Sequence, residues 1–178
     1  MSESLIALMR RLTTGVYVIG VGEGEHCNAF TASSVMPVSF SPVLLALAIG
    51  YDHASYAPLR QSGRFTVNVL RREQLALARH FGLVSARERD KLAGISWRPS
   101  SEGAPILTDA LAFLMCEVQS RTAAGDHELL VARVANGVML DKAARPMTYA
   151  DTGNMDGSAS LYTERNVSGA AHEQALDR

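Results

Sequence analysis

The chain has 178 residues, of which 47% are hydrophobic and 20% are charged, and its formal net charge is −1. This length and composition are typical of one globular domain with a sizeable core, and the near-zero charge gives no electrostatic footprint for nucleic acid or a membrane surface. The longest apolar run is too short to span a bilayer and the start of the sequence lacks a secretory pattern, so we expect a cytoplasmic protein without nucleic-acid or membrane partners.

In the first half of the chain, the sequence predicts a helix, a hairpin and a buried strand. Leu5, Leu8, Met9 and Leu12 recur at helical spacing and predict a short helix with one face on the core. Residues 16–19 and 26–31 read as two strands joined by a turn at 22–25, which makes an antiparallel hairpin. The fully apolar run 43–49 predicts a buried strand.

In the second half, helices and strands alternate before two long strands close the core. The spacing predicts the following elements: a helix at 53–61, a strand at 65–70, a helix at 73–81 that ends at Gly82, a charged helical stretch at 85–91, a loop at 99–105, and strands at 111–120 and 127–134 joined by a hairpin connection at 123–126. From residue 158 the chain is polar and small, so we divide it into a domain at 1–157 and a tail at 158–178 that is disordered or lies on a partner subunit.

Many strands joined by hairpins, with helices inserted, favour a closed or nearly closed antiparallel barrel over a doubly wound parallel sheet. The segment Gly20-Val-Gly22-Glu-Gly24 looks like part of a dinucleotide fingerprint. However, Glu25 stands where the third glycine belongs, and two carboxylates would oppose a pyrophosphate there. We therefore interpret it as a hairpin tip.

Cys27 and Cys116 lie far apart in the sequence and match no CxxC or zinc spacing. In a reducing compartment such residues stay as thiols. We expect two reduced, partly buried thiols and no metal site.

Small hydroxyl residues cluster beside the predicted buried strand: Thr31, Ser33, Ser34 and Ser39. Short side chains let a ligand approach the backbone closely, and hydroxyl and backbone N–H groups can satisfy phosphate or carbonyl oxygens. A flavin site needs this combination. The alternative is a Ser/Thr-rich strand edge without a ligand.

Seven short motifs occur in a characteristic order: Thr13-Thr-Gly-Val16, Ala29-Phe-Thr-Ala-Ser-Ser34, Val38-Ser-Phe-Ser-Pro42, Ser62-Gly-Arg-Phe65, Val67-Asn-Val-Leu70, Gly125-Asp-His127 and Val131-Ala-Arg-Val134. Their order and spacing resemble the flavin reductase-like family, which includes the small reductase components of two-component flavin monooxygenases. The resemblance runs from about Leu5 to about Tyr149. It implies a mainly β fold, the antiparallel Greek-key split barrel that binds FMN, with inserted helices.

The resemblance also implies which residues hold the flavin, FMN or FAD. Thr31, Ala32, Ser33 and Ser34 match the segment that lines the isoalloxazine and the ribityl phosphate, with Ser39 in the same hydroxyl cluster. Asn28 lies two residues before Phe30 and is expected to face the same side. Ser55 matches a phosphate contact. His80 and Phe81 match an aromatic wall, and Lys91 matches a cation for the phosphate.

His127, in Gly125-Asp126-His127, is the implied catalytic residue. A histidine beside the flavin can orient the nicotinamide carboxamide and stabilise the negative charge that develops as hydride arrives. The alternative is a histidine that only caps a hairpin. Because neighbouring strand residues point to opposite faces, we expect no direct bond between the side chains of Asp126 and His127.

The function implied by the resemblance is reduction of FMN or FAD by NADH or NADPH, with reduced flavin passing to a separate oxygenase. It further implies a homodimer in which a second subunit completes the flavin groove, with Leu111, Phe113 and Met115 as candidates for an exposed apolar face. Two alternatives stay open. One is another oxidase or a haem-degrading enzyme on the same barrel. Such an enzyme would need basic residues around its substrate, and Arg133 and Arg145, near the end of the sequence, are the candidates. The other is a flavin-binding electron carrier that does not turn over NAD(P)H.

Overall fold

The computed structural model describes residues 8–9, 11–83, 90–153 and 155. The strands are β1 (Tyr17–Val21), β2 (Asn28–Ala32), β3 (Val35–Phe40), β4 (Val43–Gly50), β5 (Arg64–Val69), β6 (Trp97–Pro99), β7 (Pro105–Leu107), β8 (Ala112–Ala124) and β9 (His127–Met139). The helices are α1 (Tyr56–Ser62) and α2 (Leu75–Leu83), with 3-10 helices at Gly24–His26 and Tyr149–Thr152.

Seven strands form one antiparallel sheet in the order β2-β1-β5-β8-β9-β4-β3, and β6 and β7 form a separate hairpin. The two edge strands, β2 and β3, follow one another in the sequence with only Ser33 and Ser34 between them. Edges joined by two residues must lie close together, so the sheet curls on itself. The backbone N–H of Ala48 donates to the carbonyl of Ser34 at 3.1 Å, which extends the β3–β4 pairing into this junction. The predicted antiparallel Greek-key split barrel is confirmed.

Two apolar cores lie on opposite faces of the sheet around β1 and β2. Phe30, Leu47, Phe65 and Leu130 belong to the core inside the barrel. The core outside it includes Val16, Ala29, Leu70, Phe81 and Met147, and α2 packs there against β2. Because successive strand residues point to opposite faces, β2 contributes Phe30 to the inner core and Ala29 to the outer one.

One strand, β3, has no counterpart among the predicted elements. β3 pairs with β4 from Val35 to Phe40, although Pro37 lies within it. Its apolar side chains Met36, Val38 and Phe40 are exposed, so the strand lacks the core-directed alternation that would have revealed it. The predicted loop at 99–105 is confirmed at 100–104, which joins β6 to β7, and β8 and β9 are longer than the sequence indicates.

Helix boundaries also differ from expectation. Gly82 does not end α2, which includes Leu83. Asp90 and Lys91 are not helical, and the rest of the predicted stretch at 85–91 lies outside the described residues, as does the 158–178 tail. Of the expected N-terminal helix, Leu8, Met9 and Leu12 are described, and all three side chains are exposed, so the prediction that they face the core is wrong. No helix within the described ranges is long and apolar enough to cross a bilayer.

The prediction of an exposed apolar face formed by Leu111, Phe113 and Met115 is wrong. Leu111 and Phe113 are buried and Met115 is half-buried, because the β6–β7 hairpin covers this part of the sheet, with the guanidinium of Arg98 5.5 Å from the Phe113 ring centroid. The exposed apolar side chains of the strands lie elsewhere, on β3, β4 and the end of β9: Met36, Val38, Phe40, Val43, Val138 and Met139.

The two cysteines are free thiols, as predicted. Cys116 lies in the inner core, and burial raises the pKa of its thiol to about 12. The Sγ of half-buried Cys27 lies 3.5 Å from the carbonyl oxygen of Gly103.

Candidate functional site

Within the described residues, β2 and the turn that follows β4 are neighbours without strand pairing, and we call this gap in the pairing the split of the barrel. The amide of Asn28 donates to the hydroxyl of Ser55 at 2.8 Å, and Ser55 is fully buried. The Phe30 ring packs on the His53 ring at a centroid distance of 4.5 Å. The turn at 50–55 therefore lies along the inner side of β2, where Asn28 and Phe30 both contact it.

Small residues join the two edge strands of the barrel. Ala32 and Ser33 are half-buried, Ser34 is exposed, and Ser39 lies half-buried on β3 opposite Leu44. The hydroxyls of Ser33 and Ser34 make no hydrogen bond to the part of the chain that the structure describes. They are available to a ligand.

Thr31 differs from its neighbours. Its hydroxyl donates to the carbonyl of Ala78 in α2 at 2.7 Å, so its side chain points to the outer face of β2. The hydroxyl attaches α2 to the barrel edge.

His80, Phe81 and Lys91 form one cluster beside α2. Lys91 is buried, and its ammonium donates to the carbonyl of Phe81 at 3.0 Å. The His80 Nε2 lies 2.7 Å from the carbonyl of Lys91. Burial lowers the pKa of Lys91. The Phe81 ring is packed in the outer core and so forms no wall of the split, whereas Lys91 and Asn28 line the same cavity.

His127 begins β9 opposite Gly50, and its Nδ1 hydrogen-bonds the Asp126 carboxylate at 2.7 Å. The expectation that these side chains do not bond is wrong. Asp126 lies in the two-residue turn before β9, where strand alternation does not apply. The hydrogen bond to His127 is the main cause that lowers the pKa of Asp126.

The second ring nitrogen of His127 faces the end of β4. A Cβ added at Gly50 would lie 3.8 Å from Nε2 and 3.1 Å from Oδ1 of Asp52, so the ring, the glycine and this carboxylate lie close together. The Ser34 carbonyl bonds Ala48, which is two residues before Gly50 on β4. Two residues of strand span about 7 Å. His127 and Ser34 flank β4 on opposite sides, so this offset and two strand spacings of about 4.8 Å each put their backbones roughly 12 Å apart.

The two late arginines are not at the split. Arg133 bonds the Glu117 carboxylate at 2.7 Å and lies six residues from His127 along β9, about 20 Å of strand. Arg145 is exposed, and its backbone carbonyl accepts from the N–H of Arg72. They give no support to a second basic substrate site there.

Three residues beside the split were not assigned to it from the sequence. His53 accepts a hydrogen bond from the N–H of Ser55 at 3.1 Å, and Asp126 bonds His127. Trp97 lines the cavity that also contains Asn28 and Lys91. Of these three residues, only Trp97 could have been singled out from the sequence, because it is the one tryptophan of the chain.

Residues 9–158 match the family model described as the flavin reductase like domain. Diflavin flavoprotein A 1 of Synechocystis sp. is 37% identical over 128 residues, which are 71% of this chain and 22% of that protein. The high molecular weight rubredoxin of Moorella thermoacetica is 33% identical over 144 residues, 80% of this chain and 62% of that protein. The chain thus spans about a fifth of the length of the diflavin relative.

Two solved structures have a fold similar to that of this chain. Component B of a nitrilotriacetate monooxygenase from Mycobacterium thermoresistibile aligns with a TM-score of 0.74 at 30% identity, covering 80% of this chain and 79% of that one. An NADH:FAD oxidoreductase from Streptomyces globisporus aligns with a TM-score of 0.75 at 28% identity, covering 85% of this chain and 93% of that one.

Proposed function

This chain belongs to the flavin reductase-like domain family, and we propose that it binds FMN or FAD in the split of the barrel and reduces it with NADH or NADPH. The observation that carries the proposal is the split itself. Small residues with available hydroxyls lie at one end, a buried cation at the other, and a histidine across β4 from the serine junction.

The edge of β2 fits a flavin. Within the described residues β2 has a strand neighbour on one side, β1, so part of its backbone N–H and C=O groups face the split. The flavin pyrimidine ring presents amide-like groups, which can pair with a free strand edge as an added strand does. Ala32, Ser33 and Ser34 leave room for a planar ring.

The polar groups at the other end fit a phosphate. An ammonium has three N–H groups, and Lys91 uses one of them for the Phe81 carbonyl. Its lowered pKa means that burial disfavours the charge, which an anion would offset. Asn28 and Ser55 add an amide and a hydroxyl nearby.

A bound flavin supplies the hydride-accepting centre. The protein's part is to hold the two rings together and to place polar groups where charge develops. With the Nδ1–H of His127 donated to Asp126, Nε2 is left as a hydrogen-bond acceptor for the amide of the nicotinamide carboxamide. When His127 is protonated, Nε2–H donates and stabilises negative charge.

The proposed assembly is a homodimer whose second copy covers the exposed apolar side chains of β3 and β4, including Met36, Val38 and Phe40. The proposed acceptor of reduced flavin is a separate oxygenase. Both are tested by the mass of the protein in solution and by oxygenase assays with the reduced flavin.

A second candidate is an electron-transfer module that keeps its flavin. It is favoured by the curated relatives, which are longer proteins named as diflavin flavoproteins and a rubredoxin. In that case the flavin stays bound and electrons pass to another group without diffusion of the flavin.

One experiment separates these candidates. The purified protein is inspected for flavin absorbance, and NADH or NADPH oxidation is followed after addition of FMN, FAD or riboflavin. Turnover that requires excess free flavin supports a reductase with a diffusing flavin. Bound flavin that NAD(P)H does not reduce supports the electron-transfer module, and absence of flavin binding refutes both.

A further inference from the structure

A cleft of about 410 Å³ lies on the outer face of the sheet, over its three middle strands β5, β8 and β9. The loop between β6 and β7 forms its remaining wall, and we call it the central cleft. The volume lies within the range of small-molecule sites. Arg133, in its wall, is six residues from His127 along β9, about 20 Å of strand, so the cleft is separate from the split.

Four charged side chains form a row across this cleft. Arg64, Glu117 and Arg133 lie opposite one another on β5, β8 and β9. They point outward, because successive strand residues alternate and their neighbours pack in the inner core. Arg133 bonds Glu117 at 2.7 Å, and Arg64 bonds Glu102 of the β6–β7 loop at 2.7 Å. The row therefore has two positive and two negative charges, which alternate in sign.

Both signs of charge in this row are available to a ligand. A guanidinium has five N–H donors, and each of these ion pairs joins one arginine nitrogen to one carboxylate oxygen. The Oε1 atoms of Glu102 and Glu117 take no part in the two ion pairs. The hydrogen bond and the charge of Arg133 lower the pKa of Glu117, and the charge of Arg64 adds to this effect. Glu117 is thus an anion between two cations.

A β-bulge lies in the floor of the cleft. The register of β8 and β9 shifts between Met115 and Cys116, which leaves Ala135 without a partner on β8. Bulges of this kind interrupt the ladder, bend the strand and are common beside functional sites. Met115 and Ala135, together with Ala104 of the β6–β7 loop, give the cleft an apolar part.

We propose that the central cleft binds a zwitterionic α-amino acid with an apolar side chain. Because the row has equal numbers of positive and negative charges, a ligand with a net charge is attracted by one group and repelled by the next, whereas a zwitterion pairs with both signs. The α-ammonium bonds Glu117, the α-carboxylate bonds the guanidinium of Arg64, and the side chain covers Met115. This site is independent of the proposed reduction of flavin.

The first test is calorimetric titration of the purified protein with L-phenylalanine as the probe. We expect saturable binding, and at least about tenfold weaker binding of 3-phenylpropionate, which lacks the ammonium, and of 2-phenylethylamine, which lacks the carboxylate. Absence of L-phenylalanine binding would overturn the proposal. Equal binding of the three compounds would show an apolar site without the charge pairing, and would overturn it as well.

Two variants test whether the probe binds in this cleft. Glu117→Gln leaves a net positive row, so we expect L-phenylalanine to bind about tenfold more weakly and 3-phenylpropionate to bind more tightly than to the parent. Ser101→Trp, at an exposed residue of the wall, fills the cleft and should weaken L-phenylalanine by a similar factor. Ala143→Trp, at an exposed alanine outside the cleft, is the matched control and should bind as the parent does. Thermal melts show which variants are folded, and parental affinity in a folded Glu117→Gln or Ser101→Trp protein refutes the site.

Discussion

Replacing His127 with alanine separates its proposed role in hydride transfer from a structural one. The side chain is 45% exposed, and its partner, the Asp126 carboxylate, is 92% exposed. Exposed ion pairs contribute about 0–1 kcal/mol, and the backbone pairing of His127 with Gly50 and Ala124 does not depend on the ring. We therefore expect His127→Ala to lower the free energy of unfolding by less than about 1 kcal/mol.

The expected kinetic effect is much larger. If Nε2 orients the nicotinamide and stabilises developing charge, its removal should slow hydride transfer about ten- to a thousandfold, the effect of one positioned polar group. Asp126→Asn is the matched variant. It keeps an oxygen acceptor for Nδ1 but removes the charge that holds the ring, so we expect a smaller decrease in the same rate.

The assay is anaerobic stopped-flow reduction of bound flavin by NADH, with a thermal melt and a flavin titration of each variant. These controls show whether a slow variant is still folded and loaded with flavin. A folded His127→Ala protein that reduces flavin at the parental rate would refute the catalytic role. A slow variant that has also lost flavin would instead assign His127 to binding.

Three other predictions concern the barrel and its split. Replacing Ser33 and Ser34 together with leucine should abolish flavin binding with little change in melting temperature, because the added bulk fills the groove; unchanged flavin affinity would remove this site. Because burial lowers the pKa of Lys91 below 10.5, the unfolded chain binds the proton more tightly, and stability relative to Lys91→Met should rise as the pH rises toward 10.5, in urea titrations at each pH. A pH-independent difference would contradict this. Gly20→Ala would press a methyl group onto the Pro105 carbonyl and should cost about 1–3 kcal/mol in the same titrations; a parental value would show that the β6–β7 hairpin can move.

Local patterns in the sequence were sufficient for much of the fold. The buried run at 43–49 became β4, the hairpins β1–β2 and β8–β9 formed near their predicted turns, and the short motifs pointed to the split barrel. These elements were predictable because each contains its own signal, either an apolar run or a turn. β3 has no such signal, since an edge strand with exposed Met36, Val38 and Phe40 has no core-facing side.

The candidate site shows the same division. The sequence placed small hydroxyl residues, a histidine and a lysine in order along the chain. Only the tertiary structure decided that Thr31 turns its hydroxyl to α2, that Phe81 is core, and that Asp126 reaches His127 from a turn. Side-chain direction depends on which face each element packs, and cavities such as the one around Trp97 form between segments distant in sequence. Neither is a property of a local pattern, because both arise from contacts that exist only once the barrel has closed.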